Sequence, residues 1–156
     1  MSNVAIALLE PEIPPNTGNI ARLCAATETP LHLIGRLGFH INDKTVRRAG
    51  LDYWPWVPLY RQASFDLFAK EHLSGDSARL VCFSAHAQQH YTQFAFQPGD
   101  ILLFGCESRG LPADILDTYR ETALTIPMIS EHVRSLNLST SVGIALYEAL
   151  RQLHQW

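Results

Sequence analysis

Ile101-Leu102-Leu103-Phe104-Gly105-Cys106-Glu107-Ser108-Arg109-Gly110-Leu111-Pro112 is the stretch on which the fold turns. Its first four residues are an unbroken apolar run, as expected of a strand buried on both faces. A polar loop with two glycines follows. Pro112 then opens a helix to Tyr119, because proline is tolerated in a first helical turn. Strand, glycine loop and helix in that order begin an α/β arrangement.

The same alternation extends outward in both directions. Val4 to Leu9, Leu31 to Ile34 (ended by Gly35) and Leu80 to Phe83 are further apolar runs, and Ala123 to Ile126 is the last predicted strand. Asn16-Thr17-Gly18-Asn19 reads as a loop capping a helix from Ile20 to Glu28, after Pro11, Pro14 and Pro15 break the first strand. Lys44 to Ala49 reads as a short helical turn stopped at Gly50. Trp54-Pro55-Trp56-Val57-Pro58 is disfavoured as a central strand by its prolines, and its end is placed to feed an edge strand. Ser64 to Leu73 is an amphipathic helix with Ser64 as cap and Phe65, Phe68, Ala69 and Leu73 inward. Leu138 to Leu153 closes the chain as a helix apolar at Val142, Ala145, Leu146, Ala149, Leu150 and Leu153. The expectation is one α/β domain over residues 1–156 with a mainly parallel sheet, whose ligands gather beyond the carboxyl ends of the strands.

Composition bounds the function. A chain of 156 residues, 47% apolar and 17% charged, can bury a core without disulfides or metal. Cys24, Cys82 and Cys106 are odd in number and widely spaced, so they read as reduced thiols of a cytoplasmic protein. The N-terminus lacks a basic segment, Glu10 and Pro11 cut its apolar run short, and no stretch approaches bilayer-spanning length; neither a signal peptide nor a membrane span is expected. The net charge of −3 does not advertise a nucleic-acid partner. Arg36, Lys44, Arg47, Arg48 and Arg61 nonetheless outnumber Asp43 and Asp52 between residues 36 and 61. That region is either an ordinary solvated surface, which charge alone favours, or a phosphate-binding stripe.

Three segments carry the chemistry. Pro14-Pro15-Asn16-Thr17-Gly18-Asn19-Ile20-Ala21-Arg22 follows the first strand. Phe104 to Pro112 follows a middle one. Ile126-Pro127-Met128 follows the last and leads to Ser135-Leu136-Asn137-Leu138-Ser139-Thr140-Ser141. None matches a dinucleotide or Walker fingerprint, nor a nucleophile elbow. His86 and His90 are spaced as two helical metal ligands would be, but no third ligand is evident, so a solvated pair is the better reading and no metal is expected.

Together the segments resemble the three signature motifs of the SPOUT RNA methyltransferases, in their TrmH-like branch: Asn-x-Gly-x-x-x-Arg, Phe-Gly-x-Glu-x-x-Gly-Leu, and Ile-Pro-Met followed by Ser-Leu-Asn-x-Ser. Glu10 to Ile20 and Arg47 to Tyr53 narrow the resemblance to members that methylate the ribose 2′-hydroxyl of cytidine or uridine at the tRNA wobble position. It implies a C-terminal trefoil knot, a homodimer, and S-adenosylmethionine (AdoMet) as methyl donor. It assigns the AdoMet site to Phe83, Ser84, Gly105, Glu107, Gly110, Ile126, Met128, Ser135, Leu136 and Asn137. It makes Asn16 and Arg22 catalytic, and it puts Arg47, Arg48, Arg134, Ser139 and Tyr147 on the tRNA side.

Singly, each apolar residue of this set is equally an ordinary core residue, Arg22 a surface arginine, Glu107 a cap or inter-subunit ion pair, and Ser139 a first-turn helix residue. An arginine is essentially always protonated, so Arg22 suits a grip on the substrate phosphate better than the part of a base. Tyr53, Trp54 and Trp56 are placed either to stack on unpaired bases of an anticodon loop or to pack in a dimer interface. Two alternatives stay open: methylation of ribosomal RNA or another tRNA position, and a non-catalytic AdoMet-binding protein.

Overall fold

The computed structural model describes residues 2–41, 44, 48 and 51–156. The apolar runs form strands: β1 (Ala5–Leu9), β2 (Leu31–Ile34), β3 (Leu59–Gln62), β4 (Arg79–Phe83), β5 (Gln89–His90), β6 (Asp100–Phe104) and β7 (Ala123–Thr125). They make one sheet in the order β3-β2-β1-β6-β4-β7-β5, and every neighbouring pair is parallel. The edge strand expected from Trp54–Pro58 begins just after it, at Leu59, where the prolines no longer interrupt pairing. β5 was not anticipated: two polar residues carry no periodic signal.

The α-helices that run unbroken through described residues are α1 (Pro14–Thr27), α2 (Phe65–His72), α3 (Ala113–Thr118) and α4 (Leu138–His154). The expected loop at Asn16–Asn19 is instead the first turn of α1. Pro14 and Pro15 do not break the chain there; they occupy the first helical positions, where a missing N–H costs nothing. Ser64 caps α2 as read, accepting from the Leu67 N–H at 3.2 Å. Of that helix's expected inward set only Phe68 is fully buried. Within the expected turn at Lys44–Ala49, Lys44 and Arg48 are helical and exposed, and the other positions lie outside the described residues.

Alternation along each strand feeds two cores, since successive side chains point to opposite faces. Ile6 and Leu8 pack with Ile20 and Cys24 of α1 and with Val142, Leu146 and Leu150 of α4. Ala5, Ala7 and Leu9 pack with Phe68 of α2 and Ile115 of α3. Helices therefore cover both faces, and the open ground lies at the strand ends. At their start, β4 and β6 are tied by Arg79, whose Nε and Nη2 donate at 2.8 Å each to the carboxylate of Asp100, itself 1% exposed.

Candidate active site

β4, β6 and β7 are neighbours, and the segments leaving their carboxyl ends enclose a cleft of about 440 Å³. That lies within the usual size of small-molecule sites, roughly 300–1,000 Å³. The loop after β6 doubles back on itself. The Gly110 N–H donates to the Cys106 carbonyl at 2.9 Å, and the two residues pair as an isolated antiparallel bridge. A Cβ on Gly105 would stand 2.0 Å from the Gly110 carbonyl carbon, so only glycine lets the limbs meet. Gly110 holds φ +67°, and around its own α-carbon there is open space.

Every residue assigned to the cofactor lines this cleft. Phe83 and Ser84 come from the end of β4; Gly105, Glu107 and Gly110 from the doubled loop; Ile126 and Met128 from the segment after β7; Ser135, Leu136 and Asn137 from the approach to α4. The rings of Phe83 and Phe104 stack at 4.8 Å, 12° from parallel, giving the cleft an aromatic wall. Half-buried Ile126, Met128 and Leu136 extend its apolar surface. Apolar surface interrupted by a few polar and backbone groups suits a purine nucleoside better than a compact anion.

Residues expected on the substrate side divide. Asn16 and Arg134 line the cleft, whereas Arg22, Arg48, Ser139 and Tyr147 do not; Arg47 lies outside the described residues. Arg22 is exposed on α1, its guanidinium 5.3 Å from the centroid of the Tyr53 ring. It lies six positions beyond Asn16, a rotation of roughly 240° and an advance of about 9 Å, so the two do not share a helix face. Ser139 Oγ donates to Asn137 Oδ1 at 2.6 Å. Tyr147 is half-exposed near Trp156. The aromatic trio also splits: Trp54 packs partly buried against the core, while Trp56 is 73% exposed.

Two contacts tie α1 to the cleft loops. Asn16 Oδ1 accepts from Asn137 Nδ2 at 3.0 Å, and Asn137 in turn caps α4 by accepting from the Thr140 N–H at 3.2 Å. The Glu107 carboxylate accepts from the main-chain N–H groups of Glu12 and Ile13, capping α1 from another segment. Burial pushes the Glu107 carboxyl above its ordinary range, and those two N–H groups pull it back. Sequence reasoning missed Glu12 and Ile13, because their partner Glu107 lies some ninety residues away, and it missed Arg109, which lines the cleft beside Glu107. The His86 and His90 pair is not helical: His86 sits in a turn lining the cleft and His90 in β5. Among the described residues no group of three or more His, Cys, Asp or Glu is placed to hold a metal. Nor is any helix among the described residues long and apolar enough to cross a membrane. The cysteines are free and buried, and burial raises the Cys82 thiol to about 12, which leaves it a poor nucleophile.

Comparison with known proteins places this geometry among relatives. The profile of a family described as SpoU rRNA Methylase matches residues 3–147. A tRNA (cytidine(34)-2′-O)-methyltransferase of Saccharophagus degradans is 46% identical, over 95% of this chain and 94% of its own. A solved structure described as giving insights into the 2-OH methylation of C/U34 on tRNA superposes with a TM-score of 0.92 at 47% identity, covering 98% of this chain and 97% of that one. The SpoU methyltransferase AviRb of Streptomyces viridochromogenes, in complex with AdoMet, gives a TM-score of 0.84 at 25% identity, over 97% of this chain and 61% of the other.

Proposed function

Because the chain belongs to the SpoU methylase family, we propose that it transfers a methyl group from AdoMet to the ribose 2′-hydroxyl of the wobble nucleotide of tRNA, a cytidine or modified uridine at position 34. The observation that carries the reading is the convergence of all three motif segments on one cleft at the strand ends. The residues there fit AdoMet: the doubled loop leaves open space at Gly110, and the aromatic and apolar walls match an adenosine group.

Bound AdoMet supplies an electrophilic methyl group. What the chain must add is position and a route for the proton, because a ribose hydroxyl is a poor nucleophile. Asn16, at the cleft, orients Asn137 and through it the approach to α4. Arg134 at the rim offers a cation to the RNA backbone. Arg22 grips the phosphate next to the reacting ribose, and that phosphate takes up the hydroxyl proton as the oxygen attacks. Since Arg22 stands off the cleft of its own chain, it serves the cleft of a second copy, and the working unit is a homodimer. Half-exposed Tyr147 and exposed Trp156 on and after α4 are apolar surface that such a contact would cover. The reading includes a C-terminal trefoil knot: the loop after β6 and the segment after β7 line one cleft, while α4 returns to pack on β6 and α1. It also includes a cytoplasmic location, where tRNA is met. Mass spectrometry of tRNA nucleosides from cells lacking this protein tests the function; an unchanged 2′-O-methyl content at position 34 rejects it.

A further inference from the structure

Glu12 does not line the cleft, yet it is bonded to the loop that walls it. Its Oε1 accepts from the Ser108 N–H at 3.0 Å and from the Ser108 hydroxyl at 2.6 Å. Its own N–H donates to both oxygens of Glu107, at 3.2 and 3.0 Å. The exchange is thus reciprocal: each carboxylate is held by donors of the other's segment. The sequence explains why. Pro14 and Pro15 begin α1 without N–H groups, so the donors left at the positive end of that helix are those of Glu12 and Ile13, and Glu107 takes both. Glu107 is thereby taken up as a cap, and the exposed Ser108 amide and hydroxyl are held by an acceptor from another segment rather than left to water. Glu12 is that acceptor. Ser108's hydroxyl and amide hold its carboxyl below the ordinary range, with smaller help from Cys106 and Arg109, so it stays ionised where Glu107 is pushed the other way.

We infer that Glu12 is a positioning residue for AdoMet: by holding Ser108 it fixes the doubled loop of residues 105–110 in the shape the cleft requires. The inference rests on the reading that this cleft takes AdoMet. Two acids just ahead of α1 then differ in how they reach the second motif. Glu10 turns the chain at φ +52° and reaches the second motif only as a charge near Arg109, whereas Glu12 bonds it directly. The entry to α1 and its first turn are left holding both cleft loops, the doubled loop through Glu12 ahead of the helix and the approach to α4 through Asn16 within it.

The test uses the full chain and four variants: Glu12→Ala, Glu12→Gln, Ser108→Ala and the Glu12→Ala/Ser108→Ala pair. Calorimetry reads AdoMet affinity, steady-state kinetics separates KM from kcat, and hydrogen exchange in the cofactor-free protein reads the Ser108 amide. Glu12→Ala weakens AdoMet about tenfold and raises its KM to match, with kcat at saturating AdoMet within about threefold of the parent. Ser108 loses its exchange protection, and Glu12→Gln, which keeps one acceptor oxygen, recovers part of the affinity. The double variant is no worse than Glu12→Ala alone, since Ser108→Ala removes only the hydroxyl bond that Glu12→Ala has already removed. AdoMet affinity of Glu12→Ala within about threefold of the parent, or losses that multiply in the double variant, overturns the inference. Should Glu12→Ala fail to fold, Glu12→Gln, Ser108→Ala and their combination carry the same expectation, the losses of the two single variants not multiplying in the pair. A parent protein that binds no AdoMet at all refutes the functional reading instead, and is told apart because exchange at Ser108 still reports the contact.

Discussion

Replacing Gly105 with alanine puts the cleft's construction to a quantitative test. The new Cβ would stand 2.0 Å from the Gly110 carbonyl carbon, 2.3 Å from the Leu111 nitrogen and 2.4 Å from the Gly110 oxygen. All three are backbone atoms, so no side chain can swing aside. Ordinary contact begins near 3.4 Å, and the limbs of the loop must part by more than about 1 Å. Forced overpacking of this kind costs about 1–3 kcal/mol. In a domain of this size, at roughly 2–4 °C per kcal/mol, the melting temperature falls by about 2–12 °C. AdoMet should suffer more than stability does, because the displaced limb is the cleft wall itself. An affinity loss of about tenfold or more, 1.4 kcal/mol, is expected. Gly75→Ala is the control: nothing lies within 4 Å of its added Cβ, so stability should stay within about 0.5 kcal/mol. Differential scanning calorimetry and isothermal titration read the two effects. A Gly105→Ala protein with the parent's melting temperature and AdoMet affinity would refute the loop geometry on which the site is built.

Three other perturbations address different parts of the account. Arg22→Ala should lower methyl transfer by about 10²-fold or more, as for loss of a charge-stabilising donor, while AdoMet affinity stays near the parent's; transfer within about tenfold of the parent contradicts the role. Arg79→Ala leaves the buried Asp100 carboxylate with the Gln97 N–H and without its cation, and should cost about 2–3 kcal/mol in urea unfolding; a loss below 1 kcal/mol, the scale of an exposed pair, argues against a buried ion pair. His32 is held neutral by burial, with a smaller push from His72, and its pKa falls to about 4. The unfolded chain therefore binds the extra proton first. Stability present above the ordinary histidine value of about 6.5 is lost as pH falls toward 4, by up to about 3 kcal/mol. His32→Leu should flatten that acid limb in a pH series of urea midpoints, and an unchanged slope assigns the limb to other groups.

The strands were legible because burial on both faces demands unbroken apolar runs, as in Leu31–Ile34 and Ile101–Phe104. Helix α4 was legible because its inward residues recur at helical spacing. The start of α1 was misread because prolines and asparagines signal turns in isolation; here Glu107 supplies the missing cap from a distant segment, and the chain turns helical at Pro14. The cofactor residues were found only through the joint motif pattern, since Ile126, Met128 or Leu136 alone reads as core. Arg22 and Asn16 belong to one motif, yet local sequence gave no warning that six helical residues would turn them to different faces. The Glu12–Ser108 contact was beyond reach for the same reason as most tertiary polar contacts: a single acid carries no mark of a partner 96 residues away.

The central claim is the transfer itself, and one measurement meets it directly. Purified protein is incubated with labelled AdoMet and either unmodified or natively modified tRNA, and the product is mapped by nuclease digestion and mass spectrometry. The account predicts label on the ribose 2′-oxygen of nucleotide 34, without added metal and with a steep loss of activity as salt rises. Label on a base, at another tRNA position, or only on ribosomal RNA would contradict it.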